Sequence, residues 1–181
     1  MSPPSITSTR RDHPHQQVAY LYAGDIIFGR GYREVRTLLG SCIAIALWHP
    51  SHKFCGMCHF AMPQYVGSIK KTLDPRYGDH CMEIFRRSAE KRGTSLKDYQ
   101  AKVFGGGNLL RHDPMLVQLD ARQDLWERRS VGEQNAGAAF ALLMQYGVKV
   151  VEMDVGEFCY RKIYLDTRTG EVDVVCCHVG P

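Results

Sequence analysis

The chain has 181 residues, which suits one domain with a full core and does not demand two. Hydrophobic residues make up 44% and charged residues 23%, the balance of a globular protein. The net charge of +4 favours an acidic partner surface but falls short of the dense Lys/Arg clustering of a nucleic-acid binder. Basic pairs such as Arg10-Arg11, Lys70-Lys71, Arg86-Arg87 and Arg128-Arg129 are scattered and read as solvated faces.

Residues 1–17 are rich in Pro, Ser, Thr, Arg and His without an apolar stretch, so they read as a disordered lead-in and not a secretory signal. Residues 18–181 then form the single folded domain. Short strands are expected at 18–22 and 25–28, divided by Gly24 and closed by Gly29-Arg30-Gly31. Residues 42–48 are almost wholly apolar, the mark of a strand buried on both faces. His49-Pro50-Ser51-His52 is a turn, and 54–62 returns as the second arm of a hairpin that Pro63 stops. After a loop at 64–75, residues 77–92 carry Tyr77, Cys81, Ile84, Phe85 and Ser88 at helical spacing, with Lys91-Arg92-Gly93 as the stop. A strand at 99–104 ends at Gly105-Gly106-Gly107-Asn108. Beyond a charged stretch, Ser130 is the N-cap of a second helix, with Glu133 completing a capping box and Gly147 ending it. A strand at 148–155 and a hairpin of 160–165 with 171–177 close the chain. The order predicts a single-domain α+β protein with mixed sheets and two main helices, not a doubly wound dinucleotide fold.

No apolar run is long enough to span a bilayer. Seven cysteines without an export signal point to reduced thiols in a cytoplasmic protein. Among them Cys42 stands out. It follows a Gly40-Ser41 bend between two apolar runs, and His59 lies on the next run. A thiol near an imidazole is a nucleophile, because the thiolate is the reactive form and the imidazole generates it. Amides around such a bend are suited to bind an oxyanion. Against this stands the ordinary preference of free cysteine for burial.

Competing motifs are weaker. Cys55-Gly56-Met57-Cys58-His59 matches the C-x-x-C-H haem-attachment pattern, but strand alternation sends the two cysteines to opposite faces. A zinc site joining these residues to Cys176-Cys177-His178 meets the same objection, since adjacent cysteines also diverge. Gly105-Gly106-Gly107-Asn108 lacks the Lys and Ser/Thr of a phosphate-binding loop and reads as a turn admitting a close neighbour.

Several ordered motifs resemble the CheD family, the chemoreceptor glutamine deamidases of bacterial chemotaxis. They are Leu39-Gly40-Ser41-Cys42, Gly56-Met57-Cys58-His59-Phe60-Ala61-Met62-Pro63, and Lys102-Val103-Phe104-Gly105-Gly106-Gly107. Val131-Gly132-Glu133-Gln134-Asn135, Asp154-Val155-Gly156 with Arg161, and Thr169-Gly170 follow in the family's order. The resemblance implies a layered sandwich or pseudo-barrel of the cysteine-hydrolase type. It implies a protein-glutamine glutaminase with Cys42 as nucleophile and His59 as general base, converting receptor glutamines to glutamates without a metal or organic cofactor. The family's third residue is a threonine. Arg36 stands at that position here, and Thr37, one place closer to the cysteine, is the candidate. Gln134 and Glu157 replace the family's usual Arg and Gly, and 114–129 reads as an insertion. The implied partners are chemoreceptor cytoplasmic helices and a CheC-type phosphatase, with no nucleic acid and no membrane insertion. A regulatory binding module, a redox or metal sensor and a different cysteine hydrolase are the alternatives.

Overall fold

The computed structural model describes residues 18–67, 72–108 and 130–178; the expected lead-in at 1–17 and the insertion at 114–129 lie outside them. In chain order the elements are β1 (Val18–Leu21), β2 (Asp25–Gly29), β3 (Glu34–Leu39), β4 (Ile43–Trp48), β5 (Cys55–Phe60) and α1 (Gly78–Glu90). A short 3₁₀ turn (Leu96–Asp98) leads to β6 (Gln100–Gly105), α2 (Val131–Gln145), β7 (Lys149–Val155), β8 (Cys159–Asp166) and β9 (Val172–His178).

The strands form two sheets, one ordered β1-β3-β8-β9 and the other β2-β5-β4-β6-β7. Both are mixed: β1 runs parallel to β3 and β6 parallel to β7, while the other neighbours are antiparallel. The larger sheet is the middle layer. One face carries Ile43, Ile45, Leu47, Cys58, Phe60 and Val103 against Cys81, Met82 and Phe85 of α1 and Ala139 and Leu143 of α2. Its other face carries Ala44, Ala46, Met57 and Phe104 against Val35, Leu39, Ile163 and Leu165 of the smaller sheet.

The central strand β4 explains this layering. Its odd-numbered side chains serve the helix side and its alanines the inter-sheet side, so the continuous apolar run is a strand with no wet face. The expected hairpin forms, with Ile43 opposite Phe60 and Trp48 opposite Cys55. The Ser130 capping box also forms: Ser130 Oγ accepts from the Glu133 amide at 3.2 Å, and Glu133 Oε2 from the Ser130 amide at 2.9 Å.

Of the two architectures implied by resemblance, the sandwich is realised. The sheets keep separate strand orders and do not close into a pseudo-barrel. Sequence periodicity assigned no range to β3. Its alternation places Val35, Thr37 and Leu39 inward between Glu34, Arg36 and Leu38, and the charged outer residues mask the pattern. The expectation of seven reduced thiols is corrected at one pair, because Cys159 and Cys176 are joined in a disulfide. Among the described residues, no helix is long and apolar enough to cross a membrane.

Candidate active site

β3 belongs to the smaller sheet and β4 to the larger, so Gly40-Ser41-Cys42 carries the chain from one layer to the other. All three carbonyls of this crossing are held. The Gly107 amide donates to Gly40 O at 2.8 Å, Asn135 Nδ2 to Ser41 O at 3.0 Å, and the Gly106 amide to Cys42 O at 2.8 Å. Gly105 has φ +110°, and a Cβ there would collide with the Cys42 carbonyl, which is why a glycine ends β6. With the carbonyls tied, the amides are left over: among the described residues, no turn or loop hydrogen bond is donated by the Ser41 or Cys42 N–H.

His59 lies opposite Ala44 in the β4–β5 ladder, on the face that β5 turns to the smaller sheet. Cys42 packs against the same inter-sheet cluster from two residues before Ala44, placing thiol and imidazole on one face. Among the described residues, no hydrogen bond joins them. Thr37 reaches across from β3. Its Oγ1 donates to Leu21 O at 2.8 Å and sits 2.8 Å from His59 Nδ1. A hydroxyl has one proton, and this one is given to Leu21, so Thr37 Oγ1 accepts from Nδ1–H. That fixes the tautomer. Nε2 carries the lone pair, and it is buried without a hydrogen-bond partner.

Burial lowers the His59 pKa below its usual 6.5, opposed in part by the Leu21 carbonyl and by Asp25, its neighbour on β2. Burial also pushes the half-buried Cys42 thiol above its ordinary range. Both shifts favour uncharged forms. Together they favour a neutral thiol beside a neutral imidazole over a thiolate–imidazolium pair.

Two residues quoted earlier only as parts of motifs prove to hold the crossing in place. Asn135, fully buried on α2, donates through Nδ2 to Ser41 O and to Ala61 O, both at 3.0 Å, clamping the chain beside the cysteine to the chain beside the histidine. Arg161, also fully buried, donates from Nε to Asp154 Oδ1 at 2.9 Å and from Nη1 to Gly156 O at 2.9 Å and Gly105 O at 3.5 Å. Its Nη2 lies 2.7 Å from Asp154 Oδ1. The spaced Asp, Gly and Arg of one motif thus meet at the glycine turn behind Cys42. Nothing in local sequence assigns these contacts; the available signal is a lone amide and a lone guanidinium on otherwise inward-facing positions.

The remaining candidates separate. Cys55 faces the smaller sheet and Cys58 the helices, as alternation requires, so they do not converge on one ion. Gly105-Gly106-Gly107 serves the crossing and ends a strand. A recess lined by Ile27, Phe28, Arg30, Tyr32, Cys55 and Thr167 lies at the far end of the β2–β5 ladder from His59.

A family model described as CheD chemotactic sensory transduction matches residues 62–175. A probable chemoreceptor glutamine deamidase CheD of Pseudomonas syringae pv. syringae is 40% identical over 154 residues, covering 82% of this chain and 78% of that one. The Pseudomonas savastanoi pv. phaseolicola protein of the same description is 39% identical over the same shares of each chain. A probable chemoreceptor glutamine deamidase CheD 1 of Chromobacterium violaceum is 31% identical over 180 residues, 94% of this chain and 88% of that one. The crystal structure of the Bacillus licheniformis hypothetical protein YfiH aligns at 13% identity with a TM-score of 0.41, a likeness too slight to bear on the fold.

Proposed function

The chain belongs to the CheD family, and we propose that it hydrolyses glutamine side-chain amides of chemoreceptors to glutamates, with Cys42 as nucleophile, His59 as general base and Thr37 fixing the imidazole tautomer. The observation that carries this reading is the Thr37–His59–Leu21 relay, which leaves a buried, unpartnered Nε2 on the face shared with Cys42. A buried imidazole serving only as core would have both nitrogens satisfied.

Nε2 takes the Cys42 proton as sulfur attacks the amide carbon, and the free amides at Ser41 and Cys42 receive the developing oxyanion. The imidazolium then protonates the leaving nitrogen, ammonia departs and a thioester remains. Water, deprotonated by the same Nε2, cleaves the thioester to a carboxylate and restores the thiol. Thiol and base start neutral, so no charge separation is stored in the resting site. Catalytic hydrogen bonds of this kind tighten when substrate arrives, which accounts for the open Cys42–His59 contact. Met62, next to the Ala61 carbonyl that Asn135 holds, and Val131, next to Gly132 against Gly106, are exposed apolar residues near the crossing that a receptor helix could contact. Receptor cytoplasmic helices as substrate place the protein in the cytoplasm.

Mass spectrometry of a purified receptor cytoplasmic fragment, incubated with wild-type protein or Cys42→Ala, tests the proposal. A Gln-to-Glu change at defined helix sites, lost in the variant, supports it. A change that persists in Cys42→Ala removes the nucleophile, and no change with either protein favours a binding module.

A further inference from the structure

We propose that Cys159, Cys176 and His178 form a binding site for one thiophilic divalent cation, Zn²⁺ by the chemistry of its donors, in the reduced chain. The β8–β9 ladder sets His178 opposite Cys159 and Cys176 opposite Arg161. Residues of alternate number on paired strands share a face, so the two sulfurs and the imidazole converge while Cys177 points away. The three ligand atoms all lie within 4.8 Å of one another, and Cys176 Sγ is 3.9 Å from His178 Nε2. A tetrahedral zinc with bonds of about 2.3 Å to sulfur and about 2.0 Å to nitrogen needs ligand atoms roughly 3.5–3.8 Å apart. The Cys176 sulfur and the imidazole are therefore within a few tenths of an ångström of that spacing, while the two sulfurs, bonded to each other, must move apart on reduction to reach it. Two thiolates and an imidazole select zinc-like ions over hard cations such as Mg²⁺ or Ca²⁺. The fourth position is open to water on the exposed His178 side.

The structure holds the same two sulfurs as a disulfide, with their Cα atoms 6.1 Å apart, an ordinary span for such a bond. A disulfide has no use for the histidine, and it is the third ligand that points to a metal. The two states exclude each other. Two equivalents of a small-molecule thiol supply two electrons, break the S–S bond and leave as their own disulfide. The freed Cys159 and Cys176 thiols then each release a proton as the cation binds. The site borders the crossing, since Gly107 lies against both the Cys159 and the Gly40 carbonyls, but it uses none of the Cys42, His59 or Thr37 side chains.

The test is Co²⁺ titration of the full chain, reduced and free of oxygen, with Zn²⁺ as competitor. The expected result is saturation at one equivalent with thiolate-to-cobalt charge-transfer absorption that Zn²⁺ abolishes. Cys176→Ser loses the charge-transfer band and His178→Gln binds at least about tenfold more weakly. Cys177→Ser and Cys42→Ala bind as wild type, and the disulfide form binds nothing. A reduced wild-type chain without charge-transfer absorption overturns the proposal, as does an undiminished signal in Cys176→Ser.

Discussion

Replacing Asn135 by Leu tests whether the crossing is held as described. The side chain is fully buried, and its Nδ2 serves Ser41 O and Ala61 O at 3.0 Å each. Leucine keeps comparable bulk but supplies no donor. Two buried carbonyls then lose a partner at about 1–3 kcal/mol each, a total of about 2–6 kcal/mol. The change also removes Asn135 Oδ1, buried without a partner in the native state, and this returns about 1–3 kcal/mol. Taking like ends of the two ranges, the net destabilisation is about 1–3 kcal/mol, within the stability of a typical domain. Asn135→Asp sets a carboxylate against two carbonyl oxygens and should be worse than leucine. Urea denaturation gives the stabilities. Deamidation measured where Asn135→Leu is fully folded should fall at least tenfold, because a displacement of about 1 Å between reacting groups can cost about 10²-fold. A stability within about 0.5 kcal/mol of wild type, together with a rate within about twofold, would refute the clamp.

Thr37→Val removes the Nδ1 acceptor and should lower kcat by about 10²-fold with little change in KM, whereas Thr37→Ser retains most activity; steady-state kinetics on both variants decide it. With His59 as the proposed base, activity requires its neutral form; burial holds its pKa below the usual 6.5, so the acid limb of kcat/KM should fall below that pH. Asp25 raises that pKa, and Asp25→Asn should move the limb lower still. Alkylation of Cys42 by iodoacetamide, followed against pH, should rise only above the ordinary thiol range, and an early plateau would reveal a preformed ion pair. Arg86 and Arg87 hold the Glu83 carboxyl down to about 2. A depressed folded pKa contributes stability that is present above the unfolded value of 4.5 and lost as pH falls toward 2. Glu83→Gln should therefore flatten the fall in melting temperature across that window.

Much of the architecture is legible in local pattern because each element satisfies its own period. The run Ile43–Leu47, the Ser130–Glu133 box and the glycine after Phe104 each carry their physical cause within a few residues. β3 is different. Its inward Val35, Thr37 and Leu39 alternate with Glu34 and Arg36, and only pairing with β1 and β8 makes that stretch a strand. Thr37 was ambiguous for the same reason, since its value depends on which face it takes. The sheet settles the face, directing Thr37 toward His59. Asn135 and Arg161 were invisible as supports because their partners lie at distant positions, Ser41 and Ala61 for one and Gly105 for the other. The Cys159–Cys176 pair was missed because composition speaks to compartment, while only strand register brings two particular sulfurs together.

The burial that raises the Cys42 pKa bears on how long the protein survives in an oxidising cell. Peroxide attacks thiolates, and the path to sulfenic and then to sulfinic and sulfonic acid is entered from the thiolate. A half-buried Cys42 whose pKa is raised by burial offers peroxide little of that anion. In the proposed mechanism the reactive form exists only for the interval in which substrate covers the crossing and the imidazole holds the proton. Chemical durability between turnovers is thus a consequence of the burial that makes this cysteine weakly acidic.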